Sequence, residues 1–421
     1  MYKKTKLENG LRIVTAEMPK MQSVAVGIWI GIGGRYEIPV IKGAAHFIEH
    51  LLFKGSRKFS CRKIKESIEG VGGSLNGFTS EELTCYLVKI PALHLDLALN
   101  VLSDMVLNPL FVSTDIEKEK TVILEEIKMY KDLPQSYVQE LLDELLWPGQ
   151  PLGESILGTT ESISCMRRDD LVSFKKQHYT PLNIVVSAAG LLEHDKFAKK
   201  VSHIFSTLKE KKINKFEEAR ETQGKPQLKI FSKDTEQTHL ALGFHSFKRD
   251  HLLKHALGLL NIILGANMSS RLFNEVREKR GLAYEIGTQV KRFQDTGAFI
   301  VHAGIDNKKV IDALNLILKE LKTIKEKPVT PDEFKRAKDF YLGQLMLALE
   351  DTLDNMFWIG ESTVNLDKTH SLRDIIKEVN KVKRNDLQLV AQTIFDEKKL
   401  NLSLIGPLKE KEQDIYNQLK I

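Results

Sequence analysis

Halfway along this chain the order of its elements starts over, and that recurrence limits the fold more than any other feature. Residues 209–225 carry 10 charges in 17 positions, show no apolar periodicity and run into Pro226, the pattern of a connecting segment. Before it, β-branched runs predict strands at 11–16, 24–32 and 82–90. Spaced apolar positions predict helices at 44–53, 61–69, 94–107, 114–130 and 137–146. After it, Val-Ala-Val-Gly at 24–27 is echoed by Leu-Ala-Leu-Gly at 240–243. A helix at 256–264 answers the one at 44–53, followed by a second helix at 270–280 and a strand at 297–303. The period is too long for a solenoid. The expectation is therefore a duplicated α+β domain: residues 1–208, a linker at 209–225, and residues 226–421. In the echo, His46, Glu49 and His50 fall on Ala256, Leu259 and Leu260, so the second copy keeps the scaffold without the polar residues.

Composition excludes several classes. With 42% hydrophobic and 28% charged residues over 421 positions, the chain can bury a core and is not a disordered or fibrous protein. The net charge of +6 is spread thinly and lacks the basic stripe with interleaved aromatics that binds nucleic acid. Cys61, Cys85 and Cys165 form no CxxC pair, which suggests neither a disulfide framework nor a thiolate zinc site. The longest near-apolar runs, 23–34 and 256–268, are too short to span a bilayer. The first ten residues contain no apolar stretch of a secretory signal. The expectation is a cytoplasmic protein that does not enter a membrane.

Chemistry concentrates in residues 43–55, Gly-Ala-Ala-His-Phe-Ile-Glu-His-Leu-Leu-Phe-Lys-Gly. On a helix His46 and His50 differ by about 40°, so both imidazoles share one face, with Glu49 about 100° from His50. Burying three ionisable groups among Phe47, Ile48, Leu51 and Leu52 costs several kcal/mol unless they are paired or metal-bound. Two imidazoles and a nearby carboxylate suit a catalytic zinc, which keeps one position open for water. A further protein ligand is then needed. The helix expected at 114–130 offers Glu117, Glu119, Glu125 and Glu126. Glu126 has Val122, Ile123, Met129 and Tyr130 at helical spacing around it, and Glu119 lies two turns earlier on the same face. A buried carboxylate there is either a ligand or the partner of a ligand histidine. Glu117 and Glu125 suit a solvated face better.

His46-Phe-Ile-Glu-His50 is the inverted zincin motif H-x-x-E-H. Together with Leu-Glu-Asn-Gly-Leu-Arg-Ile at 7–13, Gly-Gly-Ser-Leu-Asn-Gly-Phe-Thr-Ser at 72–80, Val-Ile-Leu-Glu-Glu-Ile at 122–127 and the segment 272–284, it resembles the pitrilysin family nearly end to end. Within that family it is similar to the branch of mitochondrial processing peptidase β-subunits and their bacterial relatives. The resemblance implies two homologous domains facing each other as a clamshell, one zinc ion per chain, and hydrolysis of short or unfolded polypeptides. It implies that His46, His50 and Glu126 are the metal ligands and Glu49 the general base, with Glu119 as the supporting carboxylate. Asn76, Gly77 and Phe78 match an edge strand on which extended substrate pairs by backbone hydrogen bonds. Arg277 and Tyr284 match a pair directed at the substrate carbonyl. The acidic pair that selects arginine falls on Ser136 and Glu140, so one acid is missing here. Gln150 stands where relatives commonly have His, and Gly77 where they have Ala. A homodimer is the simpler assembly; the alternative is a non-catalytic, substrate-presenting subunit of a heterodimer.

Overall fold

The computed structural model describes residues 2–209 and 215–421; part of the charged segment, 210–214, lies outside the described residues. Two compact units emerge, each built from several stretches of chain. The helices that carry the argument are α1 (Ala44–Leu52), α2 (Ser113–Asp132), α3 (Pro134–Leu146), α4 (Lys254–Leu264) and α5 (Thr352–Leu366).

The first unit comprises residues 1–128, 155–217 and 346–372. Its six strands are β1 (Tyr2–Lys6), β2 (Arg12–Glu17), β3 (Ser23–Ile30), β4 (Ser74–Thr79), β5 (Thr84–Pro91) and β6 (Ile184–Gly190), in sheet order β1-β2-β6-β3-β5-β4. Strand β3 is buried on both faces, which explains its near-continuous apolar sequence. One face, with Val14, Ala25, Trp29, Cys85 and Val185, packs on Met356 and Ile359 of α5. The other carries α1, which lies against β4 and β5.

The second unit comprises residues 129–154, 218–345 and 373–421. Strands β7 (Gln227–Ser232), β8 (Gln237–Ser246), β9 (Ala283–Arg292), β10 (Gly297–Asp306) and β11 (Asn401–Gly406) form a sheet in the order β7-β11-β8-β10-β9. The pair β7–β11 is parallel and every other neighbour antiparallel. The first sheet repeats this sense strand for strand from β2 through β6, β3 and β5 to β4. The duplication is thus topological, and α4 occupies the place of α1. It also extends to single residues. A Cβ on Gly27 of β3 would stand 2.5 Å from Met356 of α5, and one on Gly243 of β8 would stand 3.0 Å from Leu142 of α3. Each glycine admits a helix to its sheet.

The units are not the contiguous halves expected from the sequence. Helix α3 precedes the charged segment but covers β8 and β11, and α5 follows it but covers β2, β3 and β6. An apolar helix face states that it must be covered, not which sheet covers it. The charged segment is no bare tether either. Phe216 stacks its ring 3.9 Å from the Arg35 guanidinium in the first unit. In the second, the Gln150 amide donates to Arg220 O (3.0 Å) and accepts from Arg220 N (2.7 Å), which clamps the backbone of the segment. The helix expected at 270–280 contains a π segment, Phe273–Glu278, where Lys279 N donates to Asn274 O, five residues back. Such widened turns insert one residue into a helix.

Candidate active site

Helix α1 begins where the backbone demands glycine. Gly43 has φ +91°, and a Cβ there would meet Leu157 O at 2.6 Å. The buried Glu37 carboxylate accepts from Gly43 N (2.8 Å) and Ala45 N (2.7 Å), placing negative charge at the positive end of the helix. Ala44, Ala45, Phe47, Ile48, Leu51 and Leu52 are buried. His46 is turned inward with them, whereas His50 and Glu49 are half-buried.

Helix α2 then brings Glu126 to both rings. Its Oε2 lies 3.8 Å from His46 Nε2 and 3.6 Å from His50 Nε2, and the three donor atoms lie within 4.8 Å of one another. Ligand atoms about 2.0–2.1 Å from a tetrahedral zinc stand about 3.3 Å apart. The separations here are those of a ligand set, and slightly too long for direct hydrogen bonds. Burial, and then repulsion from His50, hold His46 neutral with a pKa near 3, as a ligand imidazole must be. Its Nδ1 is buried and has no hydrogen-bond partner among the described residues. Burial would also lower His50, but the hydrogen bond it donates to Glu119 and the charges of Glu49, Glu126 and Glu119 outweigh it, and its pKa is raised. Glu126 is raised chiefly by burial. The donor set fits a divalent metal with one open position.

Around this set the supporting groups are in place. Glu119 Oε2 lies 3.1 Å from His50 Nδ1, and its other oxygen binds Lys54 Nζ at 2.5 Å. Burial opposes ionisation of Glu119, but the bonds to His50 and Lys54 overcome it and lower its pKa. Glu49 is raised, by burial first, and accepts a hydrogen bond from Thr79. Glu125 faces water and pairs with Lys128 at 2.7 Å. The helix phase read from sequence therefore holds, but one of its reasons does not. Val122 and Met129 are about half exposed (47% and 50%), so those two side chains do not bury Glu126 in an apolar face.

Asn76, Gly77 and Phe78 lie on β4, the edge strand beside α1. Asn76 Oδ1 accepts from Gly77 N at 2.8 Å. A Cβ on Gly77 would stand 3.0 Å from the Phe53 ring, so Phe53 occupies the space a side chain at that position would need. Phe78 turns to the opposite face and meets Trp29 and Phe357 edge-on or tilted, at 6.0 and 5.9 Å. Only its backbone can therefore serve at the edge. In the second unit the Arg277 guanidinium lies 5.4 Å from the Tyr284 ring centre and 4.7 Å from that of Phe273. Ser136 and Glu140 sit one turn apart on α3. Ser136 lines a cleft with His239, Glu285, Gln289 and His302. Thr79, Lys54 and Glu37 were not singled out from sequence. Their signal was faint, since each is a common residue whose role is set by a contact across the fold.

The family described as "Insulinase (Peptidase family M16)" matches residues 12–160, and "Peptidase M16 inactive domain" matches residues 166–341. The uncharacterized zinc protease YmxG of Bacillus subtilis is 38% identical over 97% of this chain and 98% of its own length. An uncharacterized zinc protease of Streptomyces coelicolor is 37% identical over 97% and 90%. Two crystal structures share the fold. A protease from Helicobacter pylori has a TM-score of 0.90 at 22% identity, covering 97% of this chain and all of that one. A peptidase M16 inactive domain from Pseudomonas fluorescens has a TM-score of 0.89 at 19% identity, covering 96% and 98%. With both family descriptions matched in sequence order and relatives more than a third identical over nearly its whole length, the chain belongs to peptidase family M16.

Proposed function

We propose that this chain is a zinc-dependent endopeptidase acting on short or unfolded polypeptides, with His46, His50 and Glu126 as ligands and one ion per chain. The observation that carries the reading is the convergence of Glu126 on two imidazoles of one helix, with Glu49 beside them and Glu119 behind His50. When bound, zinc would supply Lewis acidity toward a peptide carbonyl and acidify a water. Glu49, with Oε2 engaged by Thr79, would accept a proton from the attacking water at Oε1 and return it to the leaving amine. The backbone of β4 at Asn76, Gly77 and Phe78 would pair with extended substrate, and main-chain pairing suits broad sequence taste. Glu140 without an acid at Ser136 argues against strict selection of arginine. The three free cysteines are in keeping with a reducing cytoplasm. A homodimer is part of the same reading, measurable as mass in solution.

The test is metal analysis with digestion of an unstructured peptide, before and after chelation and after zinc is restored. About one zinc per chain and activity that follows the metal are expected. Full cleavage by metal-free protein would overturn the reading, and zinc-loaded protein that cuts nothing would favour the substrate-presenting alternative. The ligand roles are separable on α2. Glu126→Gln should lose most zinc affinity, and Glu119→Gln about 10–100-fold, as for partners of ligand histidines. Glu125→Gln, which breaks only a surface ion pair, should change zinc affinity little. Equal effects at Glu125 and Glu126 in zinc titrations would show that the helix phase is misassigned.

A further inference from the structure

The Glu49 carboxylate is held by a residue that is neither a ligand nor part of the H-x-x-E-H motif. Thr79, the last residue of β4, donates from Oγ1 to Glu49 Oε2 at 2.7 Å and is only 9% exposed. Among the described residues this is the one hydrogen bond the carboxylate receives. The contact follows from strand alternation. Gly77 and Thr79 face α1, as the close approach of Phe53 to Gly77 shows, while Phe78 between them faces Trp29. The strand end is itself fixed. Thr79 pairs with Thr84 of β5, whose hydroxyl donates to Ile32 O at 2.9 Å. A β-branched side chain has few χ1 states to lose, so the hydroxyl is aimed at little entropic cost.

We propose that Thr79 is a positioning residue for Glu49: engaging Oε2 fixes the plane of the carboxylate and leaves Oε1 as its free proton acceptor. Thr79 also ends the edge strand on which an extended peptide would pair. One backbone segment then sets both the register of the substrate and the aim of the base, so a peptide seated on β4 lies in a fixed relation to Oε1. Serine would keep this hydrogen bond and valine would keep only the shape. The inference rests on the zinc-peptidase reading.

The experiment is a double-mutant cycle on the full-length, zinc-loaded chain with a quenched-fluorescent peptide. Removing a charge-assisted hydrogen bond should lower kcat of Thr79→Val by about 10–100-fold. KM and zinc content should stay close to wild type, and Thr79→Ser should recover most of the rate. In the Glu49→Gln background Thr79→Val should add less than about twofold, because the two residues act as one unit. Binding of the peptide to zinc-loaded Glu49→Gln should be the same with and without Thr79→Val. Wild-type kcat in Thr79→Val, equal losses in both backgrounds, loss of zinc, or failure of serine to restore the rate would each overturn the proposal. If valine unfolds the chain, as circular dichroism would show, Thr79→Ala in the same cycle reads the same coupling. An inactive zinc-loaded wild type would instead overturn the peptidase reading, which keeps the two failures distinct.

Discussion

Glu49→Gln should keep its zinc and lose about 10²–10⁴-fold in peptide hydrolysis, the usual range for removing a general base. The substitution retains the shape of the side chain and its place on α1, between the two proposed ligand histidines. It removes the ability to take up and return a proton. Burial already raises the Glu49 pKa, so a neutral amide adds no uncompensated charge to the site and the fold should tolerate it. The comparison needs two measurements on one preparation: metal content and the rate on an unstructured peptide. Loss of the metal in the glutamine variant would make Glu49 a ligand and reverse the assignment of roles. Wild-type rates with zinc present would show that proton transfer is carried elsewhere.

The His46–His50–Glu126 cluster was legible in the sequence because it depends on helical phase. His46 and His50 are four residues apart, and Glu119 and Glu126 seven apart, so two short spacings place four side chains on two faces. The family resemblance then chose among the carboxylates, and the structure brings Glu126 rather than Glu125 to the rings. The duplicated α+β plan was legible for a similar reason. The echo of 24–27 in 240–243 marks two strands whose glycines face a helix in each unit. What sequence did not show was long-range. No local pattern says that α3 belongs with β8 and β11 or α5 with β3 and β6, since an apolar helix face does not specify which sheet covers it. No spacing links Thr79 to Glu49, Lys54 to Glu119, or Glu37 to the start of α1, because each contact depends on how separate elements pack. Phe78 shows the same limit in reverse. Its neighbours mark an edge strand, but alternation sends its ring to the opposite face, against Trp29.

The second unit should matter to catalysis without mattering to the metal. All three proposed ligands lie in the first unit, whereas Arg277 and Tyr284 lie in the second. Tyr284 is 75% exposed, and among the described residues its hydroxyl takes part in no hydrogen bond. Among the described residues Arg277 makes only a loose ion pair with Glu278, at 4.0 Å, besides its contacts with the rings of Phe273 and Tyr284. Two strong donors thus stand together on the π segment and the start of β9 with their hydrogen-bonding capacity largely unspent. In keeping with the family resemblance, we propose that this pair donates to a substrate carbonyl. One oxyanion donor is worth about 2.7–4 kcal/mol, so Arg277→Ala or Tyr284→Phe should lower kcat by about 10²–10³-fold. Zinc content should remain near wild type, because all three proposed ligands belong to the other unit, and thermal stability should change little, because neither side chain is buried in its own unit. Arg277→Lys, which keeps the charge but loses the planar fork, should fall between. Kinetics on zinc-loaded variants decide the matter. Rates within about threefold of wild type, far below the loss of one oxyanion donor, would make the second unit a scaffold, and loss of zinc would show that the pair acts through the metal site instead.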